Sequence, residues 1–465
     1  MIDLDDVFPL RSPQLSAALE RAPRHRLSVS GHLDYGNALP IEDQRYVQTT
    51  TARAEDFAWR FYSQLGFDPG EQLLPPTGSK GSHVLMFGHV GCGKSTELRQ
   101  LAVALHHPDR YWVVHVDLVA LIDPQDVRFS DVWLAAVGEL MRNLEQDGLV
   151  IPDKALHDFQ VWFSERILSH ESLKDVSGGL SVEAEAGIGI ASLARLFGRI
   201  TAALRVGSSY KDTLRTVVRN TFDKFAVSLN TLLSAATLAL RAAGKARRIL
   251  FVIDGADRFR AEDWKRFFVH DVNPLTRLDC FAVYAAPMAL KVSGHRLDTF
   301  KCLVLPMVKI LEADGITRRV EAFDALRELV LKRCHHTLIA DVQVLDRMIE
   351  FSGGHLRDLL RLLHAACINT KNSIVDTSAV DAAIADLASE FRDKLTYAHY
   401  ATLVRIDRRS TNEGTNDMLA DLVDKGALLE YNAGSWRQSH PIVRTLAGYR
   451  YAASIEQPST VMEVA

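Results

Sequence analysis

The stretch LMFGHVGCGKSTEL, residues 85–98, constrains this chain more than any other. It fits G-x-x-x-x-G-K-[ST], a loop that needs a buried strand before it and a helix start after it. Gly88, Gly91 and Gly93 let backbone N–H groups curl around phosphate oxygens, where a Cβ would obstruct. A helix beginning near Lys94 adds its positive end. Lys94 then reaches the β- and γ-phosphates, and the Ser95 hydroxyl ligates Mg2+. The candidate nucleotide-binding residues are Gly88, His89, Val90, Gly91, Cys92, Gly93, Lys94, Ser95 and Thr96. The loop implies ATP or GTP. It does not say motor, switch, kinase or loader.

Five short apolar runs supply the expected buried parallel strands: HVLMF (83–87), YWVVHVDL (111–118), RILFVID (248–254), CFAVYAA (280–286) and KCLVLPM (301–307). Helical patterns separate them, which predicts an α/β layer sandwich with helices on both faces. The gap from 119 to 247 holds about 130 residues, far more than a crossover needs, and reads as an insertion with its own structure. It opens with two amphipathic patterns, DVWLAAVGELMRNLEQ and DKALHDFQVWFSERIL. A Gly-rich break follows, SGGLSVEAEAGIGIASL, whose Val182, Ala184, Ala186 alternation hints at a strand. The stripe Leu214, Val218, Phe222, Phe225, Leu229, Leu232, Ala236, Leu240 then predicts one helix over roughly 211–243. Such a helix would be on the order of 45 Å long.

Beyond the fifth run the chain turns helical, with four successive patterns over 311–392 that suggest a lid. From 393 to 452 two helices, the hairpin ALLEYN–AG–SWRQSHP and a last helix, IVRTLAGYRYA, outline a winged helix. Residues 453–465 read as a loose tail, and 1–80 as a lead segment before the ATPase core of 81–310.

Two more motifs carry chemistry. RRILFVIDGADRF ends a strand in Asp254, with Asp257 three residues on. A carboxylate at that tip can hold Mg2+ through water, beside Ser95, and Asp257 can orient or deprotonate an attacking water. In FSGGHLRDLLRLLHAA, Gly353 and Gly354 end one helix and Arg357 sits in the first turn of the next, where it can fold onto a γ-phosphate. Lys94, Asp254, Asp257 and Arg357 are thus the candidate catalytic residues; Ser95 and Asp254 are the candidate metal ligands.

In this order the phosphate loop, the long insertion, VIDGADR and SGGHLRDLLRLL resemble the AAA+ and STAND P-loop ATPases. The resemblance covers about residues 81–450. IDGAD is similar to the NACHT-type strand-tip motif, and GGHLR to the lid start of origin-recognition initiators. The C-terminal pattern is similar to the winged helix of compact bacterial ATPases, some of them antiviral defence proteins. The resemblance implies a sheet of order 5-1-4-3-2, ATP with Mg2+ as cofactors, and hydrolase activity. Three departures stand out. Gly255 occupies the place of the motor glutamate, the fourth strand ends in AAP with Pro287 instead of a polar residue, and Leu356 replaces the STAND proline. They point to slow hydrolysis: a switch controlling oligomerisation or partner binding, with a DNA-loading ATPase of the initiator or transposition-regulator kind as the alternative.

Charge bears on that choice. Net charge is −4, so a nucleic-acid contact needs a local patch. Residues 192–248 carry eleven basic and two acidic side chains, a net of +9, leaving −13 elsewhere. Such an arm can bind nucleic acid or dock on an acidic neighbour in a homo-oligomer. In the winged helix, TNDMLADLVDKG carries Asp417, Asp421 and Asp424, which a phosphate backbone repels, while Arg437, Arg444 and Arg450 leave a basic wing open. With no catalytic effector domain evident, a protein effector or sensor partner is expected. The five scattered cysteines and the acidic N-terminus fit a cytoplasmic location, with no membrane partner expected.

Overall fold

The computed structural model describes residues 2–53, 57–71, 74, 81–123, 126–151, 156, 190–206, 209–312, 314–409, 416–431 and 436–455. The pattern DKALHDFQVWFSERIL and nearly all of the Gly-rich break, with its Val182–Ala186 strand, lie outside these residues. Five strands, β1 (His83–Gly88), β2 (Tyr111–Asp117), β3 (Arg248–Asp254), β4 (Phe281–Pro287) and β5 (Lys301–Val304), form one parallel sheet of order β2-β3-β4-β1-β5. This is the 5-1-4-3-2 order read from the other edge. The strands are Val-, Ile- and Leu-rich because a parallel sheet is covered on both faces; β1 and β4 are buried throughout. Register brings the tips together. Gly88 pairs with Pro287, and Asp117 with Asp254, so the phosphate loop and the strand-tip acids leave the sheet along one edge.

Helix α1 (Lys94–Leu105) follows the loop directly. In the insertion, α2 (Phe129–Gln146) buries Val132, Trp133, Leu140 and Leu144. The Trp133 ring meets Phe251 edge-on at 5.5 Å, so it is core, as the pattern suggested. Helix α3 (Ile190–Val206) lies along α2, where a Cβ on Gly138 would come within 3.0 Å of the Phe197 Cβ.

The single long helix expected over 211–243 is instead two, α4 (Ser209–Asn220) and α5 (Phe222–Ala242). The break falls at Thr221 (φ −118°, ψ 24°), whose hydroxyl donates back to Val217 O at 2.8 Å. Asn and Thr together are weak helix formers, and such back-bonding bends the backbone. The apolar stripe survives the break because both helices keep one face inward. By length and composition α5 could cross a membrane. Here it lays Phe225, Leu229, Leu232, Ala236 and Leu240 against the core, and Asn230 accepts from Asp279 N at 2.9 Å.

The basic arm also needs correction. Arg215 is buried; its guanidinium donates to Asp131 (3.1 Å) and Asp126 (2.6 Å). Lys211, also buried, lies 3.4 Å from Asp126. These charges face inward because the approach to α2 supplies carboxylates that a sequence window confined to 192–248 omits.

The four lid helices are α6 (Val320–Leu331), α7 (Val342–Ser352), α8 (Leu356–Asn369) and α9 (Thr377–Lys394). The winged-helix-like unit comprises α10 (Tyr397–Arg409), α11 (Asp417–Asp424), the hairpin of β6 (Leu428–Glu430) and β7 (Arg437–Ser439), and two short helices, Pro441–Arg444 and Ala447–Ile455. The last pair was expected as one helix. Helix α11, which in a DNA-binding winged helix would enter the groove, packs against the turn Met288–Val292 of the sheet domain.

Candidate functional site

Gly91 and Gly93 both take φ of 96°, the left-handed turn that lets the loop fold back before α1. The Cys92 side chain is buried, and a Cβ on Gly88 would sit 3.0 Å from its sulfur, so the thiol packs beneath the strand end. Under the loop lies Arg53, only 2% exposed. It donates to Cys92 O at 2.8 Å and to Thr49 Oγ1 at 2.9 Å, and also to Pro306 O.

The chemistry-bearing side chains converge. Lys94 Nζ forms a buried ion pair with Asp257 Oδ2 at 2.7 Å and donates to Gly88 O (2.7 Å) and His89 O (2.9 Å). Ser95 Oγ donates to Asp254 Oδ1 at 2.8 Å, which also accepts from Gly255 N at 2.9 Å. Burial pushes the Asp254 carboxyl up and the Asp257 charge adds to this, against the Ser95 hydrogen bond. A divalent cation beside Ser95 and Asp254 would reverse that shift. Among the described residues, the buried Asp257 Oδ1 has no hydrogen-bond partner. A buried acceptor so placed fits a metal-bound or attacking water.

Three consecutive loop residues are held by the C-terminal half of the chain. His89 Nε2 accepts from Glu430 N in β6 at 2.9 Å. The ring must be neutral to accept. Burial, then the charge of His355, pushes its pKa down to about 3. His355 Nε2 donates to Val90 O at 2.9 Å, and Arg357 N donates to Gly91 O at 3.2 Å. A Cβ on Gly91 would stand 2.7 Å from the Arg357 Cβ, so this glycine admits the lid as well as the turn. Leu356 sits over Gly93, 3.2 Å from where a Cβ would stand.

Behind these contacts lies Asp358, with His355 at 2.8 Å, Arg361 at 3.1 Å and His440 at 3.4 Å. Burial works to raise this carboxyl, and His355 and His440 overcome it, holding it well below the ordinary range. Tyr431 OH donates to Gly353 O at 2.7 Å, closing the junction between hairpin and lid. Of the three arginines that left a basic wing open, two are held by carboxylates. Arg437 is buried on Glu430 at 2.6 Å and Arg444 lies 3.2 Å from Asp407; Arg450 alone of the three is exposed.

The other wall of the cavity was not foreseen. Residues 34–39, 45–47 and Thr49 of the lead segment line it, with Lys94, Asp257 and Arg357. Leu39 N donates to Thr96 Oγ1 at 3.2 Å, Arg99 to Ala38 O at 3.1 Å, Arg258 to Gly36 O at 3.1 Å and Arg357 Nε to Tyr35 O at 3.2 Å. Val47, Leu329, Leu356 and Leu360 give the cavity an apolar side suited to a planar base.

The chain matches no family model and no curated protein. Among solved structures it is similar to Cdc6p from Pyrobaculum aerophilum: 12% identity, 93% of this chain and 98% of that chain covered, TM-score 0.36. The chain itself folds as a five-stranded parallel sheet of order β2-β3-β4-β1-β5, with a helical lid and a winged-helix-like hairpin unit.

Proposed function

We propose that this chain is an ATP- and Mg2+-binding, slowly hydrolysing switch whose nucleotide state controls oligomerisation or partner binding, as in bacterial anti-phage signalling ATPases. The observation that carries the reading is the run His89, Val90, Gly91, bonded in turn to the hairpin, the lid and the lid again. A loop so tied cannot close on phosphates without moving the winged-helix unit. Lys94 would exchange Gly88 O, His89 O and Asp257 for phosphate oxygens, while Ser95 and Asp254 hold the metal. The metal would neutralise charge developing on the phosphoryl oxygens. Asp257, released from Lys94, would then orient the water. Gly255 offers no glutamate for that task, which favours slow turnover.

The second reading is a DNA-loading ATPase of the origin-recognition kind, favoured by the winged-helix outline. It requires α11 to leave the Met288–Val292 turn and finds few free arginines on the wing.

Light scattering with Mg-ATP and with Mg-ADP, each with and without duplex DNA, tests both readings alongside a turnover assay. We expect an ATP-specific size change without DNA, and turnover below the roughly 1–10³ s−1 of ordinary enzymes. A size change that needs DNA would favour the loader. Fast unassisted turnover would overturn the switch.

A further inference from the structure

We infer that Arg258, on the turn after the strand-tip acids, is a second γ-phosphate contact of this site, taking the place that the apolar end of β4 leaves unfilled. The inference rests on the ATP reading above and names a residue that reading does not use. Its basis is geometric. A nucleotide in a phosphate loop points its terminal phosphate at the strand-tip acids, here Asp254 and Asp257. Strand β4 lies between β1 and β3 and ends in Ala285, Ala286 and Pro287, so its tip offers no polar side chain. The turn Ala256–Arg258 packs against β4 and carries its one cation into the same cavity as Lys94, Asp257 and Arg357.

Arg258 is exposed and, among the described residues, its Nη2 donates to one backbone carbonyl, Gly36 O, at 3.1 Å. A neutral carbonyl on a surface loop is a weak partner for a guanidinium beside a multiply charged phosphate, which accepts two parallel bonds. Arg357 makes the matching contact one residue earlier on that loop, with Tyr35 O. Burial, then the Arg258 charge, holds the Arg357 guanidinium below its ordinary value, so the two cations lie close enough to repel. A terminal phosphate between them would relieve that repulsion; a diphosphate stops short of it. Release of Tyr35 and Gly36 would also tell the lead segment which nucleotide is bound.

The test compares Mg-ATP and Mg-ADP affinities, by calorimetry on the full chain, for the wild type, Arg258→Ala, Arg258→Lys and Lys94→Ala. Arg258→Ala should weaken ATP at least tenfold and leave ADP within twofold; Arg258→Lys should recover part of the loss. Lys94→Ala should lose both nucleotides. Equal loss of ATP and ADP in Arg258→Ala would make the residue a support for the 34–39 loop and overturn the inference. Unchanged ATP affinity would also overturn it. Wild-type protein that binds neither nucleotide would remove the ATP reading itself, and the inference with it. Because Arg258 is exposed, circular dichroism of Arg258→Ala should match the wild type, and Arg258→Lys keeps the test open if it does not.

Discussion

The phosphate-loop junction and the basic insertion both concentrate charge, and they use it in opposite ways. At the junction, charged and polar side chains bond across long stretches of sequence: His89 to Glu430, His355 to Val90, Arg258 to Gly36. In the insertion, two of the basic side chains turn inward instead. Arg215 and Lys211 are buried against Asp126 and Asp131 at the entry to α2. A count of charge along a segment therefore says little about a surface until the carboxylates folded against it are known. Removing a charge at the junction should change communication between elements. Removing one in the insertion should change local stability.

The largest expected effect tests that contrast directly. Arg215→Glu places a carboxylate against Asp131, itself 1% exposed, and leaves both anions without a cation. Breaking a buried pair in this way costs about 3–5 kcal/mol. Urea unfolding should show a clear drop in midpoint, or a separate early transition for the insertion. An unchanged midpoint would mean that Arg215 is an external contact after all, and the contrast between the regions would fail.

The middle effect concerns the junction and is read as a pH dependence. His89 is neutral in the fold, with a pKa of about 3 against an ordinary 6.5. A depressed histidine contributes stability that is fully present above 6.5 and is lost as pH falls from there toward 3. The slope due to this one ring is at most about 1.4 kcal/mol per pH unit. Lys94, His355, His440 and Asp358 also act on it, so the useful quantity is a difference. His89→Gln keeps an acceptor for Glu430 N and removes the titration. Between pH 6.5 and 5 the wild type should lose more stability than this variant. Parallel curves would show that the loop and hairpin are not joined through a neutral His89.

These effects bear on what the sequence alone could reveal. The five strands were legible because strands buried on both faces read as unbroken apolar runs, and the loop because its glycines and Lys94 follow one of them. Lys94, Ser95, Asp254, Asp257 and Arg357 do meet in one place. The lead segment was not legible. Its helices are only four to nine residues long, and residues 34–39 act through the backbone carbonyls of Tyr35, Gly36 and Ala38. A carbonyl has no signature in a residue name. Arg258 was visible beside Asp257, but its position needed the pocket. The Thr221 break was hidden because the apolar stripe runs through it undisturbed.

The smallest expected effect on stability decides what the remaining exposed charge of the insertion is for. Arg219 and Lys224 lie on either side of the Thr221 break and are both exposed, unlike Arg215. Their reversal to glutamate should each change folding stability by no more than about 0.5 kcal/mol, since exposed substitutions rarely do more. The double variant is thus a cleaner probe of partner binding than any change at Arg215. If this surface docks on the acidic body of a second copy, as the switch reading holds, the double reversal should abolish the ATP-specific size change, with nucleotide affinity untouched. If it tracks a phosphate backbone, DNA binding should be lost, and the wild type's affinity should fall steeply with salt as counterions are released. We expect the first outcome. The winged-helix unit offers DNA little help: α11 is turned onto the sheet domain, and Arg437 and Arg444 are held by Glu430 and Asp407. Assembly that survives the double reversal while a wild-type DNA shift disappears would assign the insertion to nucleic acid.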